Sequence, residues 1–225
     1  MNNISTNILV TGCWRGHSCL VIGGGPSLRG FNFERLKGHL TIGTNRFFEF
    51  YSPDVLLAID ARFYQWVLNG VYGQEAIKKF NDYKGIKVGI RICQDHIPGV
   101  QEIKSLGVSG PIIPIEQGIY HGNNSGYSAV ALALALGADP VCIMGIDLRY
   151  DGKQTHFHGG HPELTPEKEL FSKCIQPFVN LSLTAEGKRV KLVSPDWPIE
   201  PFSLTPTFSP RSALRGYFEE VNCEF

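Results

Sequence analysis

The sequence predicts an α/β fold, a parallel or mostly parallel sheet with helices on both faces. Three observations point to it. Short apolar runs alternate with helix-like segments along most of the chain. These runs lack the apolar/polar alternation of half-exposed strands, as expected of strands buried on both faces. The first of them, Leu20-Val21-Ile22, enters three consecutive glycines, Gly23, Gly24 and Gly25, followed by Pro26-Ser27-Leu28. That is a strand, a tight turn and a helix start: glycine permits the sharp turn and a close approach to a ligand, and proline suits a first helical turn.

The elements follow in order. Cys19–Ile22 reads as the first strand and Pro26–Leu36 as a helix or helical turn. Leu40–Gly43 is a second strand and Val55–Ile59 a third. Phe63–Asn69 and Gln74–Phe80 read as helices, Lys87–Ile92 as a fourth strand, and Pro111–Ile115 as a fifth. Ser125–Leu136 is the strongest helix, rich in Ala and Leu and stopped by Gly137. Val141–Met144 is a strand. Pro166–Leu183 is a long helix with Thr165 as N-cap, and Pro177 inside it predicts a kink or split. Val190–Val193 is the last clear strand. A proline-punctuated tail follows, with a closing helix expected over Arg211–Val221. The expected organisation is a single domain over residues 1–195 and a C-terminal extension over 196–225.

Composition narrows the function. The chain has 225 residues, and its 21 basic and 21 acidic residues balance. A neutral total speaks against broad nucleic-acid binding, which leaves a basic footprint. The six cysteines form no C-x-x-C pair, and reduced, buried thiols in a cytoplasmic protein are the expectation. No signal peptide is visible, and no apolar run is long enough to span a membrane. Phe47, Phe48, Phe50 and Tyr51 fit core packing better than a subunit contact, although a homo-oligomer stays open.

In a covered parallel sheet, ligands bind beyond the carboxyl ends of the strands. The residues just after the strands are therefore informative: Gly23 to Ser27, Thr44-Asn45-Arg46, Asp60-Ala61-Arg62 and Gly145-Ile146-Asp147. All four sets are small, polar or charged, which points to a nucleotide site; the plainer alternative is that polar residues mark loop starts. N–H groups at the helix start after Gly25 would face a phosphate. Asp60 and Asp147 suit Mg²⁺, a ribose hydroxyl or a purely structural hold on a loop. Asn124, Ser125 and Gly126 open the strongest helix. They suit a phosphate or ribose as well as simple capping.

His156, His158 and His161 fall within six residues of one another, in His156-Phe157-His158-Gly159-Gly160-His161. Histidine is the side chain best suited to proton transfer near neutral pH. Metal ligation and an inert loop are the other uses. No Cys or carboxylate set stands nearby to complete a structural metal site.

Five motifs in fixed order carry a resemblance: Val21 to Leu28, Gly43 to Arg46, Asn124 to Tyr127, Met144 to Asp147, and His156 to His161. The same order occurs in phage and prophage proteins of unassigned function. It also resembles the bacterial sialyltransferases that use CMP-sialic acid on one Rossmann-like domain. A third likeness is to the 6-hydroxymethyl-dihydropterin diphosphokinases of archaeal type. The resemblance runs from about Cys19 to Pro195.

The sialyltransferase resemblance implies nucleotide contacts at Gly23, Gly25, Ser27, Asn45, Asp60, Asn124, Ser125 and Gly126, and a catalytic general base at His161, without a metal. Gly24 stands where that family has asparagine, Asn124 where it has threonine, and the tyrosine after Gly145-Ile146-Asp147 is displaced to Tyr150. The function expected is a nucleotide-dependent transferase. It would take a sugar from a CMP- or UDP-type donor and pass it to an acceptor glycan or other hydroxyl compound, in the cytoplasm of a bacterial host if phage-encoded. The diphosphokinase resemblance implies instead a Mg²⁺-dependent enzyme acting on a hydroxymethyl acceptor such as a pterin, with Asp60 and Asp147 holding the metal. The third alternative is a nucleotide-binding module without turnover.

Overall fold

The computed structural model describes residues 8–91, 97–149, 156–158, 168–193 and 212–221. A single sheet of eight parallel strands runs through them. The strands are β1 (Cys19–Ile22), β2 (Leu40–Thr44), β3 (Val55–Ala58), β4 (Ile86–Arg91), β5 (Val100–Lys104), β6 (Val141–Met144), β7 (Val190–Val193) and β8 (Glu219–Val221). Their order is β5-β4-β3-β2-β1-β6-β7-β8. The fold is thus Rossmann-like. The chain moves outward from β1 to β5, then returns to lay β6 on the other side of β1. The order reverses between β1 and β6, which opens a crevice above their carboxyl ends.

Helices α1 (Ala61–Leu68), α2 (Gln74–Asp82), α3 (Ser125–Ala135) and α4 (Lys168–Ser182) cover the sheet. On one face, Cys19, Val21, Ile42, Val55, Leu57, Val141 and Ile143 pack under α3, with Phe178 of α4 in the same cluster. Helix α3 is apolar all round, and nearly all its side chains are buried, as expected of a helix held between the sheet and a second layer. On the other face, Leu56 and Ala58 pack under α1 and α2. Leu20, Ile22 and Met144 pack under the 3₁₀ turns that carry Leu28, Leu36 and Phe47. Strands β1, β3 and β6 therefore bury both faces, which explains their continuous apolar runs.

Three expectations are corrected. The segment Pro26–Leu36 is two short 3₁₀ turns, Pro26–Leu28 and Phe33–Leu36. Gly30 between them adopts a positive φ, and Asn32 caps the second turn afresh by accepting from the Glu34 N–H. The fifth strand is Val100–Lys104, not Pro111–Ile115. Pro111 and Pro114 lack the N–H that a ladder needs. The closing helix is absent: Glu219–Val221 is an edge strand paired with β7, so the C-terminal extension supplies the eighth strand.

Pro177 lies within α4 without ending it. Thr165 and Pro166 fall outside the described residues. Cys13, Cys19, Cys142 and Cys174 are free thiols, and burial raises the pKa of Cys19 and Cys174. Phe47 and Phe48 are core residues, whereas Phe50 is exposed. No helix among the described residues is long and apolar enough to cross a membrane.

Candidate functional site

The glycine turn after β1 is shaped by its neighbour across the crevice. Gly23 donates to the Met144 carbonyl at 2.9 Å, and Gly25 donates to the Gly145 carbonyl at 2.7 Å. A Cβ on Gly23 would fall 2.2 Å from the Gly145 oxygen, and one on Gly25 2.4 Å from Asp147 Oδ2. These two glycines are thus required by the closeness of the β6 loop. Gly24 differs. A Cβ there would meet the imidazoles, His156 Cδ2 at 2.9 Å and His158 Nε2 at 3.1 Å.

Asp147 is buried, at 3% exposure. Its Oδ2 accepts the Ser27 N–H and its Oδ1 the Ser27 hydroxyl, both at 2.7 Å. Leu28 donates to the Gly25 carbonyl. The helix start expected to face a phosphate is therefore a single 3₁₀ turn whose donors serve Asp147 and Gly25. The anion it meets is the protein's own carboxylate.

The histidine segment lies directly on this turn. Phe157 donates its N–H to the Gly24 carbonyl at 2.9 Å. Its ring packs on Phe33 and Phe50, at centroid distances of 5.6 and 4.9 Å. His158 stacks on Phe50 at 5.8 Å, and the His156 and His158 rings are 5.0 Å apart. Both histidines are half-buried. Thus Phe33 and Phe50, the latter expected to pack in the core, seat the histidine segment. Only the exposure of Phe50 beside its buried neighbours Phe47 and Phe48 sets it apart, and that is a property of the fold. His161 and Tyr150 lie outside the described residues.

The ends of β2, β3 and α3 meet at one hydroxyl. Ser125 Oγ accepts the Ile59 N–H and donates to Asn45 Oδ1, both at 3.2 Å. Asn45 is held at a φ of 52°, in the left-handed region. Short polar side chains tolerate that region better than most. Thr44 donates its hydroxyl to the Ile22 carbonyl at 3.3 Å, tying β2 to β1. Asn45 and Ser125, far apart in sequence, are thereby brought together on the crevice.

Asn124 is occupied by the helix itself. Its Oδ1 accepts the Tyr127 N–H at 2.7 Å and its Nδ2 donates to the Gly122 carbonyl at 2.8 Å. Gly126 lets the start of α3 approach the β6 loop, since a Cβ there would come within 3.0 Å of Ile146. Behind it, His121 Nδ1 accepts the Asn123 N–H at 3.1 Å, and burial lowers its pKa.

Asp60 caps α1 by accepting from the Arg62 N–H and pairs with the Arg62 guanidinium at 2.6 Å. The neighbouring Arg46 pairs with Glu49 at 2.5 Å and lies over the Tyr72 ring, 4.5 Å from its centroid. Hydrogen bonding to Glu49 raises the pKa of Arg46. Burial pushes the Tyr72 phenol up to about 12.

The structure brings some of the expected residues together. Gly24, His156 and His158 meet at the turn after β1, and Asn45 meets Ser125 where β2 ends and α3 begins. Gly23, Gly25, Ser27, Asp147, Asn124 and Gly126 are engaged with the loops and the helix beside them. Asp60 lies at the end of β3, engaged with Arg62. No group of three or more potential metal ligands occurs among the described residues.

No protein-family description and no curated protein matches the chain. Among solved structures, the chain is similar to the MAf glycosyltransferase from Magnetospirillum magneticum AMB-1, with a TM-score of 0.45 and 18% identity. The likeness covers 68% of this chain and 26% of that one, so this chain spans about a quarter of the other's length.

Proposed function

We propose that this chain is a glycosyltransferase-like enzyme that takes a sugar from a nucleotide donor, with a histidine as general base. The observation that carries the reading is the seat of the histidine segment. His156 and His158 lie over Gly24, and the Phe157 N–H is bound to the Gly24 carbonyl. A proton-transfer group thus stands at the crevice where an open α/β sheet takes its ligand.

In this reading the donor nucleotide lies along the Gly23–Ser27 turn toward Asn45 and Ser125. The histidine segment covers Gly24, and the Asn45 amide and Ser125 hydroxyl meet the ribose or phosphate. Ser27 and Asp147 position the turn. A histidine of the 156–161 segment removes the acceptor's proton as the hydroxyl oxygen attacks the anomeric carbon. The nucleotide then leaves with the bonding electron pair on its phosphate. His161 takes the base role by its resemblance to the sialyltransferases, while His156 and His158 orient it or share the proton. The order of the motifs is the ground for a relation to phage-encoded proteins and for a donor of CMP or UDP type.

The test is a thermal-shift panel of CMP, CDP, UDP and ATP, each with and without Mg²⁺. A ligand that binds only the folded state raises its melting temperature. Stabilisation by a cytidine or uridine nucleotide without metal is expected. Stabilisation by ATP only with Mg²⁺ would instead assign the diphosphokinase reading. The absence of any shift at millimolar nucleotide would overturn both. If nucleotide binds, His161→Ala should abolish donor hydrolysis or transfer while leaving nucleotide affinity intact.

A further inference from the structure

A cavity of about 330 Å³ lies between α3, the end of α4 and the segment 109–112, and none of the described candidate site residues lines it. Its walls include Ser109, Pro111, Ile112, Tyr127, Asn180 and Glu186. The volume is at the small end of the roughly 300–1,000 Å³ typical of small-molecule sites.

Tyr127 is the informative wall residue. Its side chain is buried, at 1% exposure, with the ring edge-on to Phe178 at 5.2 Å. Yet the phenol makes no hydrogen bond to any described residue, and burial alone raises its pKa. A buried tyrosine hydroxyl ordinarily finds a partner. The Tyr127 hydroxyl is not one of the enclosed side-chain atoms without a partner, so it opens onto the cavity that the residue lines, where a ligand can bond it.

The other polar groups define the ligand class. Thr184 is committed, donating to the Leu181 carbonyl at 2.8 Å and accepting from the Gly187 N–H at 3.0 Å. Asn180 Oδ1 accepts from Gln176 at 3.0 Å, which leaves its NH₂ as donor toward the cavity it lines. Ser109 adds a hydroxyl and Glu186 a half-buried carboxylate. Among the described residues no Lys, Arg or His lines the space, and the Glu186 carboxylate disfavours a second anion there. Donors and acceptors alternate beside the apolar faces of Pro111, Ile112 and Leu181. That combination suits a neutral ring carrying hydroxyls at its edge and C–H groups on its face.

We propose that this cavity binds a neutral sugar unit, with the Tyr127 hydroxyl, the Asn180 amide and Glu186 contacting its hydroxyl groups. Its role, holding a remote unit of an acceptor glycan, rests on the transferase reading above; the binding itself does not.

The test is saturation-transfer NMR on the full chain with maltose, cellobiose, lactose and N,N′-diacetylchitobiose as probes. Tyr127→Phe and the cavity-filling Ile112→Trp are run beside it, with the nucleotide thermal-shift panel on the same preparation. At least one disaccharide should bind with a millimolar Kd. Tyr127→Phe should weaken it about 5- to 10-fold, the worth of one hydrogen bond, and Ile112→Trp should abolish it. Tyr127→Phe keeps the ring and removes only an unpaired oxygen, so its melting temperature should equal or exceed that of the parent. No binding by any of the four sugars, or equal binding in Tyr127→Phe, would overturn the proposal, as would binding of tetramethylammonium in their place. If a sugar binds but no nucleotide stabilises the protein, the cavity stands and the transferase reading falls. If nucleotide binds and no sugar does, the reverse holds.

Discussion

Asp147 takes both donors of Ser27, the N–H on one carboxylate oxygen and the hydroxyl on the other, each at 2.7 Å. The pair joins the loop after β6 to the turn after β1, the two strands between which the order of the sheet reverses. It fixes the two loops relative to one another.

Asp147→Ala should therefore destabilise the fold. It leaves a buried N–H and a buried hydroxyl without their acceptor, a cost of about 3 kcal/mol. For a chain of this size that is a fall of roughly 6–12 °C in melting temperature. Asp147→Asn keeps one acceptor oxygen and should lose about half as much. Differential scanning calorimetry of the two variants separates these outcomes; an unchanged melting temperature for Asp147→Ala would show that the pair contributes nothing.

The three glycines of the turn should separate in the same assay. Gly23→Ala and Gly25→Ala each press a Cβ against fixed groups, 2.2 Å from the Gly145 oxygen and 2.4 Å from Asp147 Oδ2 respectively. Each should cost about 3 kcal/mol through overpacking. Gly24→Ala presses only on His156 and His158, at 2.9 and 3.1 Å. Its stability should change by less than about 1 kcal/mol, while the imidazole resonances of both histidines shift in long-range ¹H–¹⁵N spectra. Equal destabilisation by all three substitutions would show that the histidine segment is as fixed as the sheet.

Much of this arrangement was legible in the sequence, for a physical reason. A strand buried on both faces must be apolar throughout, so β1 and β6 announce themselves with their bounds. Strand β5 was not legible, because Val100-Gln101-Glu102-Ile103-Lys104 is an edge strand with half-exposed polar positions, and the more apolar Pro111–Ile115 outweighed it. Strand β8 is a three-residue edge strand with two glutamates, a composition that pairing with β7 overrides. Gly23 to Ser27, Asn45 and Asp147 follow β1, β2 and β6 closely, which puts them at the carboxyl end of the sheet. Which groups face a ligand and which face one another was not legible: that Ser27 serves Asp147, and that Asn124 serves its own helix, depends on long-range geometry that spacing does not encode.

His121 gives the fold an acid sensitivity with a definite sign. Burial lowers its pKa below the ordinary value, and its Nδ1 accepts the Asn123 N–H at 3.1 Å, so the folded state favours the neutral ring. The unfolded state takes up the proton first as pH falls. The stabilisation is therefore complete above the unfolded pKa of about 6.5, and it is lost as pH falls through that value toward the depressed folded one. Melting temperature should drop between about pH 7 and pH 5.5, and His121→Gln should flatten part of that slope. Amide resonances of Gly122, Asn123 and Asn124 should report the same titration, because protonation removes the acceptor that holds their turn. A slope unchanged in His121→Gln would assign the acid sensitivity elsewhere.

Asn45 separates stability from binding. Its φ of 52° is a conformation in which glycine is freer than any side chain. Its Oδ1 receives the Ser125 hydroxyl at 3.2 Å, a single neutral hydrogen bond at a half-buried position. Asn45→Gly relieves the backbone and gives up that bond, two terms of opposite sign and about 1 kcal/mol each. The melting temperature of the free protein should therefore move by no more than about 4 °C. Asn45→Ala loses the same bond and gains no backbone relief, so it should be the less stable of the two. If the amide meets the nucleotide, both variants should lose most of the nucleotide-induced thermal shift despite their different stabilities. A full nucleotide shift in Asn45→Gly would remove this residue from the binding wall and leave its role at the junction of β2, β3 and α3.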